Sequence, residues 1–528
     1  VGGETIVSFA YDNSRFWPIA AQGAVHSMVP VPEALAVGGA RLLDYSGNWR
    51  ASAYIGGSPG GPDPEPVRNL LLNEFMVAAA QGNGAGLGEL SDDWIELWNA
   101  GSGPLELTGL YLSDDPARLD KWPLANAVLP AGSYLLVDQA NGLLGSLAMP
   151  FGLNAQGGEL YLSHLSESGG SRVADAVRYK GQEPGYSYGR VRDLQGCWGR
   201  SLPTRGGPNL SAPDGLYISE VMYHPHDIVR RGSPLDNTGD EYIEIYNSNP
   251  FSVSLADGAR SWRLSGGVDF LFPAGANIPG GGYMLVVSFD PGIESDFSLF
   301  KRKYGIADSG VVVVGPYTGK LANSSDAVVL EKPVILETNG EVVAWAVVDE
   351  VNYADCWPWP EGLADGGGSS LQRVAVPGCG AAGWVALMPT PGMAWTAESR
   401  ADNDLDGLPD YWEIDNELSP TDAEGENGGH GDPDGDGLDN RTEWMLGTRP
   451  RTVTLRFNGI ESKENSMVIR HNVPAGFAVR VEASESLTGD WVEVVSWGAE
   501  PAPRFVEAII PLSETRTGWR FYRLVGGQ

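Results

Sequence analysis

Apolar and polar residues alternate with a period of two through most of this chain, in short runs closed by Gly, Pro or Asn. That period puts successive side chains on opposite faces, so each run predicts a half-buried β-strand rather than a helix. Several runs occur twice, in the same order. Leu70-Leu71-Leu72-Asn73-Glu74-Phe75-Met76 is echoed by Leu216-Tyr217-Ile218-Ser219-Glu220-Val221-Met222. Trp94-Ile95-Glu96-Leu97-Trp98-Asn99 is echoed by Tyr242-Ile243-Glu244-Ile245-Tyr246-Asn247, and Leu129 to Val137 by Ile278 to Val286. The repeat ends correspond as well: Trp198 and Pro203–Pro208 in one copy, Trp384 and Pro389–Gly392 in the other.

Repetition on this scale makes the repeat the unit of organisation. It predicts one β-sandwich over 67–212 and another over 213–396. The run Ile6–Tyr11 followed by Phe16-Trp17-Pro18 parallels Val348–Tyr353 followed by Cys356-Trp357-Pro358. Residues 1–66 therefore read as the back half of a third sandwich, whose front half is expected upstream. Alternation returns after 451 as Val453–Phe457, Ala478–Glu482, Trp491–Val495 and Phe521–Leu524, which predicts a small sandwich over 451–528. The expected class is all-β.

Residues 397–450 break the pattern. Asp402, Asp404, Asp406, Asp410 and Glu413 stand at positions 1, 3, 5, 9 and 12 of a loop, with Gly407 at 6, where the backbone must turn, and the Leu408 carbonyl at 7. The spacing recurs as Asp432, Asp434, Asp436, Leu438, Asn440 and Glu443, with Gly437 at the turn. A hard cation of calcium's size takes six to eight oxygens, and such a loop supplies them, the last Glu bidentate. Between 402 and 443 there are 15 Asp and Glu against one Arg, a balance of −14 within the −33 of the whole chain. Carboxylates at that density repel unless a cation sits among them. Two Ca2+ sites are expected. Short helices are predicted over Asp410–Leu418 and Asn440–Leu446, while Thr421–Gly431 carries too much Gly and acid to be a helix. With no visible core of its own, the stretch is expected to depend on the ions to set the angle between Trp395 and Arg451.

These residues carry resemblances. The loops resemble the loop-then-helix calcium repeats of thrombospondin type 3 and dockerin modules, although the first starts 30 residues before the second, long for a dockerin pair. No cohesin partner is carried over. The order of an Asn-Glu-Phe or Ser-Glu-Val strand, a Trp-Ile-Glu or Tyr-Ile-Glu strand and a Pro-x-Gly-x-Tyr strand resembles the lamin-tail domain. That family is an immunoglobulin-like β-sandwich, and the resemblance covers about 68–212 and 213–396. It implies tandem immunoglobulin-like sandwiches on a secreted or surface bacterial protein, in some cases beside hydrolase or CotH-type kinase domains, and brings no catalytic residues. Ser484–Trp491 and Phe521–Leu524 resemble a terminal β domain common on secreted proteins of environmental bacteria.

Composition narrows this further. A surface with a net charge of −33 repels nucleic-acid phosphates and anionic lipid. No apolar run approaches the roughly 18 residues that span a bilayer, so neither nucleic-acid binding nor membrane insertion is expected. No signal-peptide pattern opens the sequence. Of three cysteines, Cys356 and Cys379 lie near one domain end and could pair, leaving Cys197 over; buried thiols are the alternative.

Other candidate chemistry fails on physical grounds. Gly56-Gly57-Ser58-Pro59-Gly60 fits a serine-hydrolase string, but Pro59 has no N–H for an oxyanion hole, so a turn is expected. His224 and His226 would share a strand face without a third zinc ligand in register. Asp92-Asp93 and Asp114-Asp115 read as solvated turns, and the 17 Trp as packing. The expectation is a non-enzymatic, extracellular or cell-surface structural or adhesive segment stiffened by calcium. The alternatives are accessory modules that bind a glycan, polymer or protein for a larger enzyme, and a self-associating surface subunit.

Overall fold

The structure is a computed structural model. It describes residues 9–527 apart from 38–39, 78–92, 125, 139–151, 191–196, 231–232, 258–259, 307–310, 337–342, 361–363, 375–379, 394–402, 405, 409, 447, 456–458, 464–465, 485–490 and 512–520. The fold is all-β, as the alternation predicts. The chain divides into two compact units. One comprises Val1–Pro225, Glu241–Phe289 and Val312–Leu387, the other His226–Asp240, Asp290–Val311 and Met388–Gln528.

In the first unit, residues 9–66 contribute one strand pair among the described residues, β1 (Met28–Pro30) with β2 (Trp49–Ala51). The first sandwich is built from β3 (Leu70–Met76), β4 (Trp94–Asn99), β5 (Leu110–Ser113), β6 (Tyr134–Asp138), β7 (Gly157–His164), β8 (Arg172–Lys180), β9 (Ser187–Arg190) and β10 (Trp198–Leu202). One sheet has the order β10-β9-β3-β4-β6, with Leu210–Ser211 at its β10 edge. The other runs β8-β7-β5 and ends on Trp122–Pro123. Between them lie Leu72, Phe75, Ile95 and Leu97 of one sheet and Leu112, Leu160 and Leu162 of the other.

The second sandwich repeats this plan with β11 (Leu216–Met222), β12 (Tyr242–Asn247), β13 (Tyr283–Val287), β14 (Val312–Val314), β15 (Ser325–Ile335), β16 (Val343–Ala354), β17 (Ser370–Arg373) and β18 (Trp384–Leu387). Its larger sheet has the order β18-β17-β11-β12-β13-β14, so β17/β18 correspond to β9/β10. Both copies carry a β-bulge at the same place, after Leu72 in β3 and after Ile218 in β11. The pair β1/β2 is the counterpart of those closing pairs: Trp49, Trp198 and Trp384 each open the second strand. The segment 9–66 covers the edge strand β8, whose outward backbone groups need partners. Ile55 N–H donates to Ser171 O at 2.9 Å, and Val173 N–H to His26 Nε2 at 3.0 Å.

The second unit contains α1 (Glu294–Lys303), α2 (Asp410–Asp415), α3 (Asn440–Leu446) and a terminal sandwich of two three-stranded sheets. These are β19 (Gly459–Lys463), β20 (Ser466–Val473) and β23 (Arg504–Pro511), and β22 (Val492–Trp497), β21 (Ala478–Ser484) and β24 (Phe521–Gly527). Ile469, Val481, Ala508 and Ile510 fill the space between them. The strand expected over Val453–Phe457 does not form at 453–455. Thr454 gives its N–H to a loop carboxylate instead of a sheet ladder.

Two further expectations need correction. Cys197 is disulfide-bonded, and Cys356 is a buried thiol with its Sγ 3.8 Å from Arg41 O, so Cys356 does not pair with Cys379. Cys379 lies outside the described residues. Asp93 is not a solvated turn residue: it is buried and accepts the Leu153 N–H at 2.5 Å. Ser113–Pro116 is the turn expected of it, with Ser113 and Asp115 bonding within it.

Candidate metal centre

The two acidic loops fold alike. Gly407 has φ +88° and Gly437 φ +86°, the left-handed turn that position 6 requires. One residue on, Leu408 and Leu438 turn their side chains inward, both essentially buried. Their N–H groups bond back to Asp406 Oδ1 and Asp436 Oδ1, each at 2.8 Å. Each loop then enters a helix at position 9, Asp410 for α2 and Asn440 for α3. Each closing Glu also ends its helix in the same way. Leu418 N–H donates to Glu413 O at 2.8 Å and Thr448 N–H to Glu443 O at 2.9 Å.

Carboxylates converge inside each loop. Asp404, Asp406 and Glu413 bring ligand oxygens within 4.8 Å of one another, and so do Asp432, Asp434 and Asp436. Asp402 lies outside the described residues. Asp410 stands apart from its cluster, held by the Asn403 backbone N–H at 2.8 Å and the Asn403 side-chain amide at 2.5 Å. That suits position 9, which often reaches the ion through water. At the corresponding place Asn440 gives both amide hydrogens to backbone carbonyls, Glu426 O and Gly428 O, each at 2.8 Å. Its Oδ1 therefore points the other way, is buried, and receives no hydrogen bond. Glu443 is 0% exposed. Thr448 donates to its Oε1 at 3.1 Å, and its Oε2 receives none.

Buried acceptors without donors are costly and uncommon, and a cation is the ordinary remedy. Asp404 Oδ2 and Asp434 Oδ2 are in the same position as Glu443 Oε2. Electrostatics agree: burial first, then Asp436, pushes Asp434 up to about 7, and burial first, then Asp434, pushes Glu443 up to about 8. Each carboxylate resists ionising while its neighbours carry charge. The chain thus supplies hard oxygen donors without enough protein hydrogens to satisfy them, which fits Ca2+ better than a softer metal.

The module is not coreless, contrary to the sequence expectation. Leu408, Trp412, Leu418 and Trp444 are buried together, with Met388 against them. The Arg441 guanidinium of α3 lies against Gly407, where an added side chain would have to push it aside, so the second helix meets the first loop. Helix α1 lies against α3. The second loop touches the terminal sandwich: Thr454 N–H donates to Asp436 Oδ2 at 2.6 Å, and Asn472 of β20 lies on Gly437. Arg451 caps the turn after α2 by donating to Glu417 O at 3.1 Å. Trp395 lies outside the described residues.

Sequence reading passed over a second set of carboxylates. The bulge in β3 sets Glu74 opposite Glu96, both buried, and the bulge in β11 sets Glu220 opposite Glu244. Glu74 accepts from Ser187 Oγ, Thr204 N–H and Thr204 Oγ1, and Glu96 from Asn73 Nδ2 and Gly206 N–H. Burial pushes both pKa values up. The first pair is an anchor for the turn at 203–206, closed to a reacting ligand. The Glu echo in the two strands was its signal, and it lacked only the register. His224 bonds through Nδ1 to Asp365 Oδ1 at 2.6 Å.

No protein-family model matches the chain, and no curated protein matches it at a significant level. Among solved structures, a DUF4876 family protein from Bacteroides thetaiotaomicron is similar at 10% identity, over 55% of this chain and 90% of that one. Its TM-score is 0.22, a likeness too slight to carry any argument about fold or function.

Proposed function

We propose that residues 402–443 hold two calcium ions and that the chain is a non-catalytic structural or adhesive segment of an extracellular or cell-surface protein. Asp402, Asp404, Asp406, the Leu408 carbonyl and Glu413, with Asp410 through water, would hold one ion. Asp432, Asp434, Asp436, the Leu438 carbonyl, Asn440 and Glu443 would hold the other. The observation that carries the reading is the set of buried, donorless oxygens on Asp404, Asp434, Asn440 and Glu443. The ions supply charge neutralisation and fixed backbone geometry; the module's own residues supply the small core and the contacts to α1 and the terminal sandwich. Calcium modules outside cells work at about 10⁻⁴ to 10⁻³ M, and the disulfide at Cys197 suits the same oxidising surroundings. The lamin-tail and thrombospondin-type resemblances belong to this reading, and the shared strand order and bulge position of the two sandwiches support treating them as repeats.

Titration calorimetry on the whole chain tests it. Two ions per chain should bind, and Glu443→Gln should weaken one of them while leaving the other unchanged. Absence of calcium heat together with an unchanged melting curve in EGTA would remove the proposal.

A further inference from the structure

Each large sandwich carries the same clamp beside its bulge. In the first, Arg190 pairs with Asp175 at 2.5 Å and donates through Nε to Leu72 O at 2.6 Å, while Asp175 accepts the Leu72 N–H at 2.8 Å. In the second, Arg373, Asp349 and Ile218 repeat the arrangement at 2.7, 2.8 and 2.7 Å. Each clamp borders a crevice. One, of about 470 Å³, has Arg373, Asp349 and Tyr217 on one wall and Trp198 and Arg200 of β10 on the other. The second, of about 390 Å³, has Arg190, Asp175 and Leu71 facing Trp49 and Arg50 of β2. Leu71 and Tyr217 hold equivalent positions in the repeat, as do Trp49 and Trp198. One site is thus built twice, each time between a closing strand pair and the sandwich that follows it. Arg15 and Phe16 line both crevices.

A row of rings continues from each crevice across the outer face of the larger sheet. Tyr217, Tyr246 and Tyr283 are successive cross-strand partners, and the last two stack with centroids 4.8 Å apart. In the first sandwich the row is Leu71, Trp98 and Tyr134, the rings stacked at 6.4 Å. Trp98, Tyr134, Tyr246 and Tyr283 are all half-buried. Cross-strand aromatic pairs do stabilise sheets. That role alone does not explain why both rows begin at a crevice lined by charged side chains.

The charges select the ligand. Arg373, Arg190, Arg200 and Arg50 are already paired with Asp349, Asp175, Glu183 and Asp63. An anionic polymer would have to displace those carboxylates, against the field of a chain with net charge −33. A neutral polyhydroxyl chain need not. Its C–H faces pack on the rings, and its hydroxyls meet the polar lining of the crevices. Both volumes fall within the roughly 300–1,000 Å³ of ligand clefts. We infer that the repeated crevice and its aromatic row bind a neutral polysaccharide, one stretch per sandwich. This goes beyond the calcium reading and does not rest on it.

Affinity electrophoresis of the whole chain tests it, in gels containing galactomannan, xylan, laminarin or hydroxyethylcellulose, and separately alginate or polygalacturonate. At least one neutral polymer should retard the chain, in calcium and in EGTA alike, because no residue of the 402–443 loops lines either crevice. Phe16→Ala alters both crevices and Ser211→Trp fills the larger one; each should weaken retardation about tenfold. Tyr283→Ser, at the open end of a row, serves as the control if either of these lowers the melting temperature. No retardation by any neutral polymer, retardation by the anionic ones alone, or variants that bind like the parent would each overturn the inference.

Discussion

The sandwiches and the loop module both bury carboxylates, and they solve that problem in opposite ways. In the first sandwich Glu74 and Glu96 lie over a sheet whose inner face packs Leu72, Phe75, Ile95 and Leu97, and the strand and turn around them supply donors. The module, whose core is four apolar side chains, buries Glu443 and Asn440 and half-buries Asp434, and leaves each with a buried oxygen that no donor reaches. Burial therefore does not distinguish an anchor from a metal site. Several unsatisfied oxygens gathered in one short loop do, because a satisfied carboxylate is finished and a cluster of unsatisfied ones still needs a cation.

The largest effect separating the two regions should come from the apolar side. Phe75 is 0% exposed and touches the rings of Tyr179 and Trp198. Phe75→Ala should cost about 3–5 kcal/mol, equally in calcium and in EGTA, as read by denaturant unfolding. A calcium-dependent cost would mean that sandwich and module do not hold themselves up separately. Next comes removal of the ion. At calcium about 100-fold above Kd, chelation should cost the module about 2.7 kcal/mol for each ion. The loss should show as new protease cleavage between 403 and 451, with the cores of both large sandwiches still protected from hydrogen exchange. Trp412→Ala asks how much of that resistance the small core supplies. Cleavage of this variant even in saturating calcium would rank the core above the ion.

How much of this was legible follows from sequence distance. Each acidic loop carries its information within twelve residues, so Gly407 and Gly437, the helix starts at Asp410 and Asn440 and the closing Glu could all be read off directly. The alternating runs announced β3, β4, β11 and β12 for the same reason. Partners chosen by register were hidden. Nothing in the chain near Arg190 names Asp175, and nothing near Arg373 names Asp349, until strands fold side by side. The module core escaped notice because Leu408, Trp412, Leu418 and Trp444 are spread over two helices and a Gly-rich connection. Thr454 was misread because alternation shows that a strand could form, not that a neighbouring carboxylate has already taken its N–H.

A smaller effect tests the turn itself. At φ +86° any side chain is strained, so Gly437→Ala should cost about 1–2 kcal/mol. It should also lower calcium affinity at the second loop while sparing the first, a split that calorimetry can resolve. Equal weakening at both loops would mean that the ions bind as one coupled unit, through contacts such as Arg441 on Gly407.

The smallest predicted effect concerns the cover over β8, which depends on neither a large core nor an ion. His26 is 6% exposed. Its Nδ1 lies 2.7 Å from Ser52 O, and its Nε2 accepts the Val173 N–H at 3.0 Å. A ring that donates at one nitrogen and accepts at the other must be neutral. Burial holds its pKa below the ordinary 6.5, against the opposing pull of the Ser52 carbonyl and the Asp63 carboxylate. The sign follows: the unfolded chain takes the proton more readily, so the contribution of this contact is complete above 6.5 and is lost as pH falls through the lower, folded value. The loss should be about 1 kcal/mol, one hydrogen bond to a buried group. Hydrogen exchange at the Val173 amide should therefore quicken between about pH 7.5 and pH 5, after correction for intrinsic rates, and His26→Phe should exchange fast at both. Equal protection of the parent at the two pH values would show that Ile55 on Ser171 holds the cover without the imidazole.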